Sequence, residues 1–311
     1  MIYLGKSKVG TIYSGADKVD KIYKGEELVY SSAPATPDRV FDPNKFAITI
    51  DTTLGTKGGD NIMKLKATAR NYYSAIDWGD GKVDKSTDSD NSLYQHTYSV
   101  SGIYTIQFYD TVSRTDFRDY LEYSEKIIEL NNFAVNSTGA YRYSFGGCIN
   151  MEAKYKKTPK IVATGGIFNN CHKFNGPINF VDDGSQTSFN SMFNNCYAFN
   201  QPLTVNLTGL NTISDMFKNC TSLKQSLAGW RWKRGSQSQF YANGFLTGCD
   251  INEPGTTTNY DETLLDWANS GNPGPTRNNI SFGNSKYSSV GKVGRDKLIA
   301  KGWVIQDGGM I

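Results

Sequence analysis

Short apolar runs alternate with clusters of Gly, Asn, Ser and Asp along the chain. This pattern predicts strands joined by turns in preference to long helices. Five runs stand close together, at Phe46–Ile50, Ile62–Ala67, Tyr72–Trp78, Leu93–Ser99 and Ile103–Phe108. Their length and spacing predict a small β-sandwich. Ahead of them a ten-residue unit recurs three times, reading Ile-Tyr-x-Gly-x-x-x-Val from Ile2-Tyr3, Ile12-Tyr13 and Ile22-Tyr23. Ile, Tyr and Val favour strands and the Gly-centred stretches favour turns, so the unit predicts a β-meander of four very short strands. About thirty residues cannot bury a core of their own. The meander therefore reads as an attachment or oligomerisation module, with Ile2, Tyr3, Ile12, Tyr13, Ile22 and Tyr23 as its anchor residues. Ser31-Ser32-Ala33-Pro34-Ala35-Thr36-Pro37 reads as a linker.

The second half carries a longer period, marked by its cysteines. Cys148, Cys171, Cys196, Cys220 and Cys249 lie 23, 25, 24 and 29 residues apart. Phe145-Gly146-Gly147-Cys148 is matched by Phe168-Asn169-Asn170-Cys171, Phe193-Asn194-Asn195-Cys196 and Phe217-Lys218-Asn219-Cys220, and more loosely by Leu246-Thr247-Gly248-Cys249. After two of the cysteines come Phe174-Asn175-Gly176-Pro177-Ile178 and Phe199-Asn200-Gln201-Pro202-Leu203, with Leu223 in the place of those phenylalanines. A period near 24 with recurring Phe, Cys, Leu and Asn is that of leucine-rich repeats. No such unit can bury its own apolar face, so neighbouring units must stack. Cysteine at a fixed repeat position is then a small apolar side chain in an internal ladder, reduced and buried.

Composition narrows the function. The chain has 311 residues, 38% of them hydrophobic, and a net charge of +3, too small to argue for nucleic acid. No run of about 18 apolar residues occurs, so no membrane insertion is expected. The N-terminus lacks the apolar core and cleavage site of a secretory signal peptide. Glycan hydrolysis requires two placed carboxylates, whereas residues 141–250 hold eleven Lys or Arg against five Asp or Glu. Nucleophile-elbow, phosphate-loop, metal and dinucleotide motifs are absent. His172 beside Cys171 suggests a nucleophile–base pair, but four equivalent cysteines lack that histidine. Asp77, Asp80 and Asp84 suggest a calcium site, but their spacing is not that of a calcium loop and a side-chain-stabilised turn is preferred. The sequence thus predicts no catalytic residue, no cofactor and no metal, and no enzyme. Trp230-Arg231-Trp232-Lys233-Arg234 is the candidate binding cluster, an aromatic and basic strip suited to sugar rings or acidic polymers, with one core tryptophan among solvated neighbours as the alternative.

Two resemblances extend this reading. Asp77-Trp78-Gly79-Asp80-Gly81, His96-Thr97-Tyr98 and Gly102-Ile103-Tyr104-Thr105-Ile106 resemble the polycystic-kidney-disease (PKD) type domain. Met192-Phe193-Asn194-Asn195-Cys196-Tyr197-Ala198-Phe199-Asn200-Gln201-Pro202-Leu203, half-repeated at Met216–Cys220, resembles the BspA-type leucine-rich repeat. Asn259-Tyr260-Asp261, Leu264–Ala268, Asn284–Ser289 and Lys301–Gly309 are similar to that family's terminal cap, so the likeness covers roughly residues 118–309. Members often carry Trp-Asp-Thr-Ser where this chain has Trp230–Lys233. The expected organisation is a mainly β, multidomain chain: an anchor (1–32), a linker (33–42), a PKD-like sandwich (43–117), a repeat solenoid with short helical segments (118–255) and a cap (256–311). PKD-like domains precede such repeats in many phage-borne members. The resemblance therefore implies a structural or adhesive protein of a phage particle: a tail fibre, tail tip, head fibre or decoration protein. It would be assembled in the host cytoplasm, displayed on the virion surface and homo-oligomeric. Its N-terminus would meet other virion proteins and its repeats a host glycan, a host protein or a neighbouring virion protein. A bacterial cell-surface adhesin and a capsule depolymerase are the alternatives.

Overall fold

The computed structural model describes residues 3–4, 7–8, 13–14, 17–18, 21–24, 27–31, 42, 45–55, 60–67, 75–85, 93–109, 115–116, 121–132, 145–162, 165–181, 187–234, 239–276 and 279–311. The protein is mainly β, with open sheets and two helices of any length. Its first six strands form three antiparallel hairpins: β1 (Tyr3–Leu4) with β2 (Ser7–Lys8), β3 (Tyr13–Ser14) with β4 (Asp17–Lys18), and β5 (Lys21–Lys24) with β6 (Glu27–Ser31). Tyr3 pairs with Lys8 and Tyr13 with Lys18, so the ten-residue repeat is also a repeat of register. Among the described residues each hairpin pairs only with itself, which replaces the expected continuous meander by three separate units. Of the anchor residues, Ile2 and Ile12 lie outside the described residues.

A six-stranded sheet follows, ordered β10 (Val83–Lys85), β9 (Ala75–Asp77), β12 (Ile103–Tyr109), β7 (Phe46–Asp51), β14 (Ile127–Asn132) and β15 (Glu152–Ala153). A second sheet holds β11 (Leu93–Thr97), β8 (Ile62–Ala67) and β13 (Thr115–Asp116), and a single helical turn, α1 (Leu121–Ser124), leads into β14. β7 is buried along its whole length, as a central strand with cover on both faces must be. Trp78 links the sheets: its indole stacks on the His96 ring at 4.9 Å, and its carbonyl accepts the Tyr98 hydroxyl at 3.0 Å. Lys126, only 2% exposed, donates to the Ile62 carbonyl and to the Asp60 carboxylate. An amine buried this deeply is tolerated because both partners are in place.

The sheet changes character at its last pair. β14 runs antiparallel to β7 but parallel to β15, and among the described residues every later pairing between strands is parallel. β16 (Lys160–Val162) pairs with β17 (Asn179–Val181); β18 (Thr187–Ser188), β19 (Asn206–Thr212) and β20 (Arg231–Arg234) form one sheet; β21 (Asn279–Ser281) pairs with β22 (Val304–Gln306). Two helices, α2 (Thr258–Asn269) and α3 (Ser289–Ala300), close the C-terminal end. They approach closely because Gly291 and Gly294 face α2: a Cβ on Gly294 would lie 2.5 Å from the Leu264 carbonyl carbon. One apolar core of described residues runs from Phe46 in β7 to Ile305 in β22. Phe46 and Phe145, 6.4 Å apart, bridge β7 to the first cysteine-marked turn.

Candidate functional site

The cysteine-marked units meet through their turns. In each unit the residues leading to the cysteine form a compact turn whose N–H groups donate to the next unit. Asn195 N reaches Lys218 O at 2.8 Å, Phe193 N reaches Met216 O at 2.9 Å and Ser191 N reaches Ser214 O at 2.9 Å. The same three bonds join the second unit to the third and the fourth to the fifth. Stacking at this spacing aligns like residues. Phe145, Phe168, Phe193 and Phe217 lie face to face, with ring centroids 5.6, 5.7 and 5.6 Å apart.

All five thiols are free and buried. Four of them donate to a phenylalanine carbonyl of the unit before: Cys171 to Phe145 (2.9 Å), Cys196 to Phe168 (3.0 Å), Cys220 to Phe193 (3.0 Å) and Cys249 to Phe217 (2.9 Å). Burial raises the thiol pKa of Cys148, Cys196 and Cys220 well above the ordinary value and pushes that of Cys249 up to about 12. A thiol held protonated is neither nucleophile nor metal ligand. Cys171 and His172 do not work together. The thiol faces the core, while the imidazole packs against the Tyr197 ring at 4.7 Å and burial lowers its pKa.

The residue before each cysteine forms a second ladder, which the sequence reading did not assign. Gly147, Asn170, Asn195, Asn219 and Gly248 all have positive φ, between 60° and 86°. Only Gly, and Asn among ordinary residues, enters this region readily. The Asn195 amide donates to Asn170 Oδ1 at 2.6 Å and the Asn219 amide donates to Asn195 Oδ1 at 2.8 Å. Glycine ends the ladder at both sides; a Cβ on Gly248 would stand 2.4 Å from Asn219 Oδ1. The recurrence of Asn just before Cys was the available signal.

The candidate binding cluster is placed differently from expectation. Trp230 and Trp232 are 2% and 4% exposed, so neither offers a ring face to a ligand. Their indole N–H groups donate to the carbonyls of Leu203 (2.9 Å) and Pro273 (3.3 Å), and both rings pack on Trp267 of α2. The physical reason is the cap, which covers this strand with residues some forty positions further along. Arg231 is also engaged, through a two-pronged pair with Asp266 at 2.7 and 2.8 Å that holds the Asp266 carboxyl below its usual pKa. Lys233 is exposed, and the Arg234 side chain lies outside the described residues. The two tryptophans of this strip are core residues and form no aromatic surface.

The aspartates of the sandwich turn each serve a separate donor. Asp77 Oδ1 accepts Gly79 N, Asp80 accepts Lys82 N and the His96 ring N–H at 2.8 Å, and Asp84 accepts the Trp78 indole N–H at 2.8 Å. Gly79 is required here, since a Cβ would meet the Thr105 carbonyl oxygen at 2.4 Å. Among the described residues no group of three or more His, Cys, Asp or Glu side chains is placed to hold a metal ion. No helix among them is long and apolar enough to cross a membrane.

Residues 140–246 match a known family. Its description is Mycoplasma protein of unknown function, DUF285. The matched span takes in the first four turns of the stack and most of the fifth. No curated protein and no solved structure matches the chain.

Proposed function

We propose that the chain is a non-enzymatic structural and adhesive component of a phage particle, either a tail fibre, tail tip, head fibre or decoration protein. In this reading the N-terminal hairpins attach a homo-oligomer to the virion and a PKD-like domain spaces the rest from it. A short solenoid of BspA-type repeats then presents side chains to a host or virion partner. The observation that carries it is the turn ladder. Five units are joined edge to edge by backbone hydrogen bonds, with their thiols and aromatic rings turned inward. Such a stack holds a row of outward side chains at fixed spacing, which suits recognition more than turnover. Under this reading the exposed lysines Lys154, Lys156, Lys157, Lys160 and Lys173 face an anionic surface.

Two experiments test it. Cryo-electron microscopy of intact particles should show outward density for a β-sandwich followed by a short stack. Deleting residues 1–32 should give a soluble body that no longer co-purifies with particles; a truncated chain still bound to virions would refute the anchor. Release of reducing sugar ends from capsule polysaccharide would make it a depolymerase instead. A bacterial cell-surface adhesin is the second reading, favoured by one observation: the matched family is described from Mycoplasma, a cellular organism.

A further inference from the structure

With Trp230 and Trp232 internal, the outward chemistry of the stack lies on another rim, formed by the two residues after each cysteine. Backbone bonds fix this rim: Ala198 N donates to His172 O and Ser222 N to Tyr197 O, both at 3.1 Å. Side chains of successive units are therefore held in a row. Tyr197 stands in that row, 42% exposed, and no other aromatic side chain among the described residues is as open. Its ring packs against His172, whose pKa burial lowers. The two rings form a supported aromatic platform, bordered by Thr221, whose hydroxyl lies 3.5 Å from the Tyr197 carbonyl.

One border of the platform is cationic. Lys173 follows His172 directly, is exposed and lies close enough to Glu152 to lower its pKa, though the Lys154 hydrogen bond at 2.8 Å is the larger cause. Lys156, Lys157 and Lys160 are exposed in the same stretch as Lys154. Glu152 is spoken for by Lys154, and among the described residues Lys156, Lys157, Lys160 and Lys173 make no ion pair. An exposed lysine next in sequence to an aromatic platform suits a ligand with both ring faces and negative charge. An anionic polysaccharide has both: pyranose rings present C–H faces to aromatic rings, and uronate carboxylates supply the charge.

We propose that Tyr197, His172 and Lys173 form a binding subsite for a uronate-bearing polysaccharide. This rests on the reading of the repeat body as a recognition surface and names its ligand class. The test uses the full chain in affinity electrophoresis through gels containing alginate, with dextran as the uncharged control. The wild-type chain should be retarded by alginate and not by dextran. Tyr197→Ala, which keeps every lysine, should weaken alginate binding about tenfold, the loss expected for a stacking contact. Lys173→Glu should weaken it at least as much. Lys233→Glu, an exposed lysine in β20, should leave it unchanged. Absence of wild-type retardation in alginate, or equal retardation in dextran, overturns the proposal. So does full binding by Tyr197→Ala, which would mean attraction by charge alone, or an equal loss on Lys233→Glu, which would mean no defined subsite. Adsorption of the same variants to host cells or particles separates the two readings. A chain that attaches there but ignores alginate keeps its recognition role and loses this ligand.

Discussion

Replacing Asn195 takes the turn ladder apart term by term. The residue sits mid-stack at φ 60°, donates one amide hydrogen bond to Asn170 and accepts one from Asn219. Each such bond is worth about 0.5–1.5 kcal/mol net, so losing both should cost about 1–3 kcal/mol. Asn195→Gly loses the bonds but keeps a residue at ease with positive φ. Asn195→Ala loses the same bonds and adds a left-handed backbone penalty of about 1 kcal/mol. Asn195→Asp keeps an acceptor for Asn219 but sets a carboxylate against the Asn170 oxygen, isolating the donor half. The expected order of stability is wild type, then Gly, then Ala. Urea denaturation followed by tryptophan fluorescence would report it, since Trp230, Trp232 and Trp267 all sit in the stack or its cap. Each kcal/mol should also shift the melting temperature by roughly 2–4 °C in a body of this size. If Ala matches Gly, the backbone argument is wrong; if Gly matches wild type, the amide ladder contributes nothing.

Three further outcomes are expected. Gly294→Ala should destabilise the cap although alanine is the better helix former by about 1 kcal/mol, because the new methyl meets the Leu264 backbone at 2.5 Å; thermal melts of both forms decide this. The native chain should leave its thiols unmodified by a disulfide reagent at pH 8, while denaturant should release all five, and rapid native labelling would contradict the buried ladder. Acid should weaken the junction between β20 and α2. The Arg231 hydrogen bonds hold the Asp266 carboxyl below its ordinary value, so between the folded and unfolded pKa values the unfolded state binds more protons. That stability is present above about pH 4 and is lost as pH falls through the folded value. Asp266→Asn should flatten this part of the acid denaturation curve, and an unchanged curve would count against it.

Much of the β architecture is legible because its signals are local. Alternation marks Phe46–Ile50 and Ile103–Phe108 as strands, and β7 and β12 occupy those segments. The cysteine spacing likewise reports stacking, since like residues recur only where like neighbours meet, as Phe168 and Phe193 do. What escaped was decided at long range. Trp230 and Trp232 lie two apart and so share a face of an extended segment, but nothing nearby announces that Trp267 and Pro273 will cover that face. Tyr197 is the converse: its neighbours in sequence match the buried repeat pattern, and only the stacked rim shows it to be outside. β15 is a third case, because two residues, Glu152 and Ala153, carry no strand signal until β14 offers them a parallel partner.

The regularity of the turn bonds makes the protein a ruler. Every internal unit offers the same donors to the unit after it and the same acceptors to the unit before it, so a unit copied between Cys196 and Cys220 would find matching edges on both sides. Each duplication would lengthen the stack by about one strand spacing, roughly 5 Å, and add one position to the rim that carries His172 and Tyr197. Length and the number of rim positions would then change together by duplication of a unit, leaving β7–β14 on one side and α2 and α3 on the other untouched.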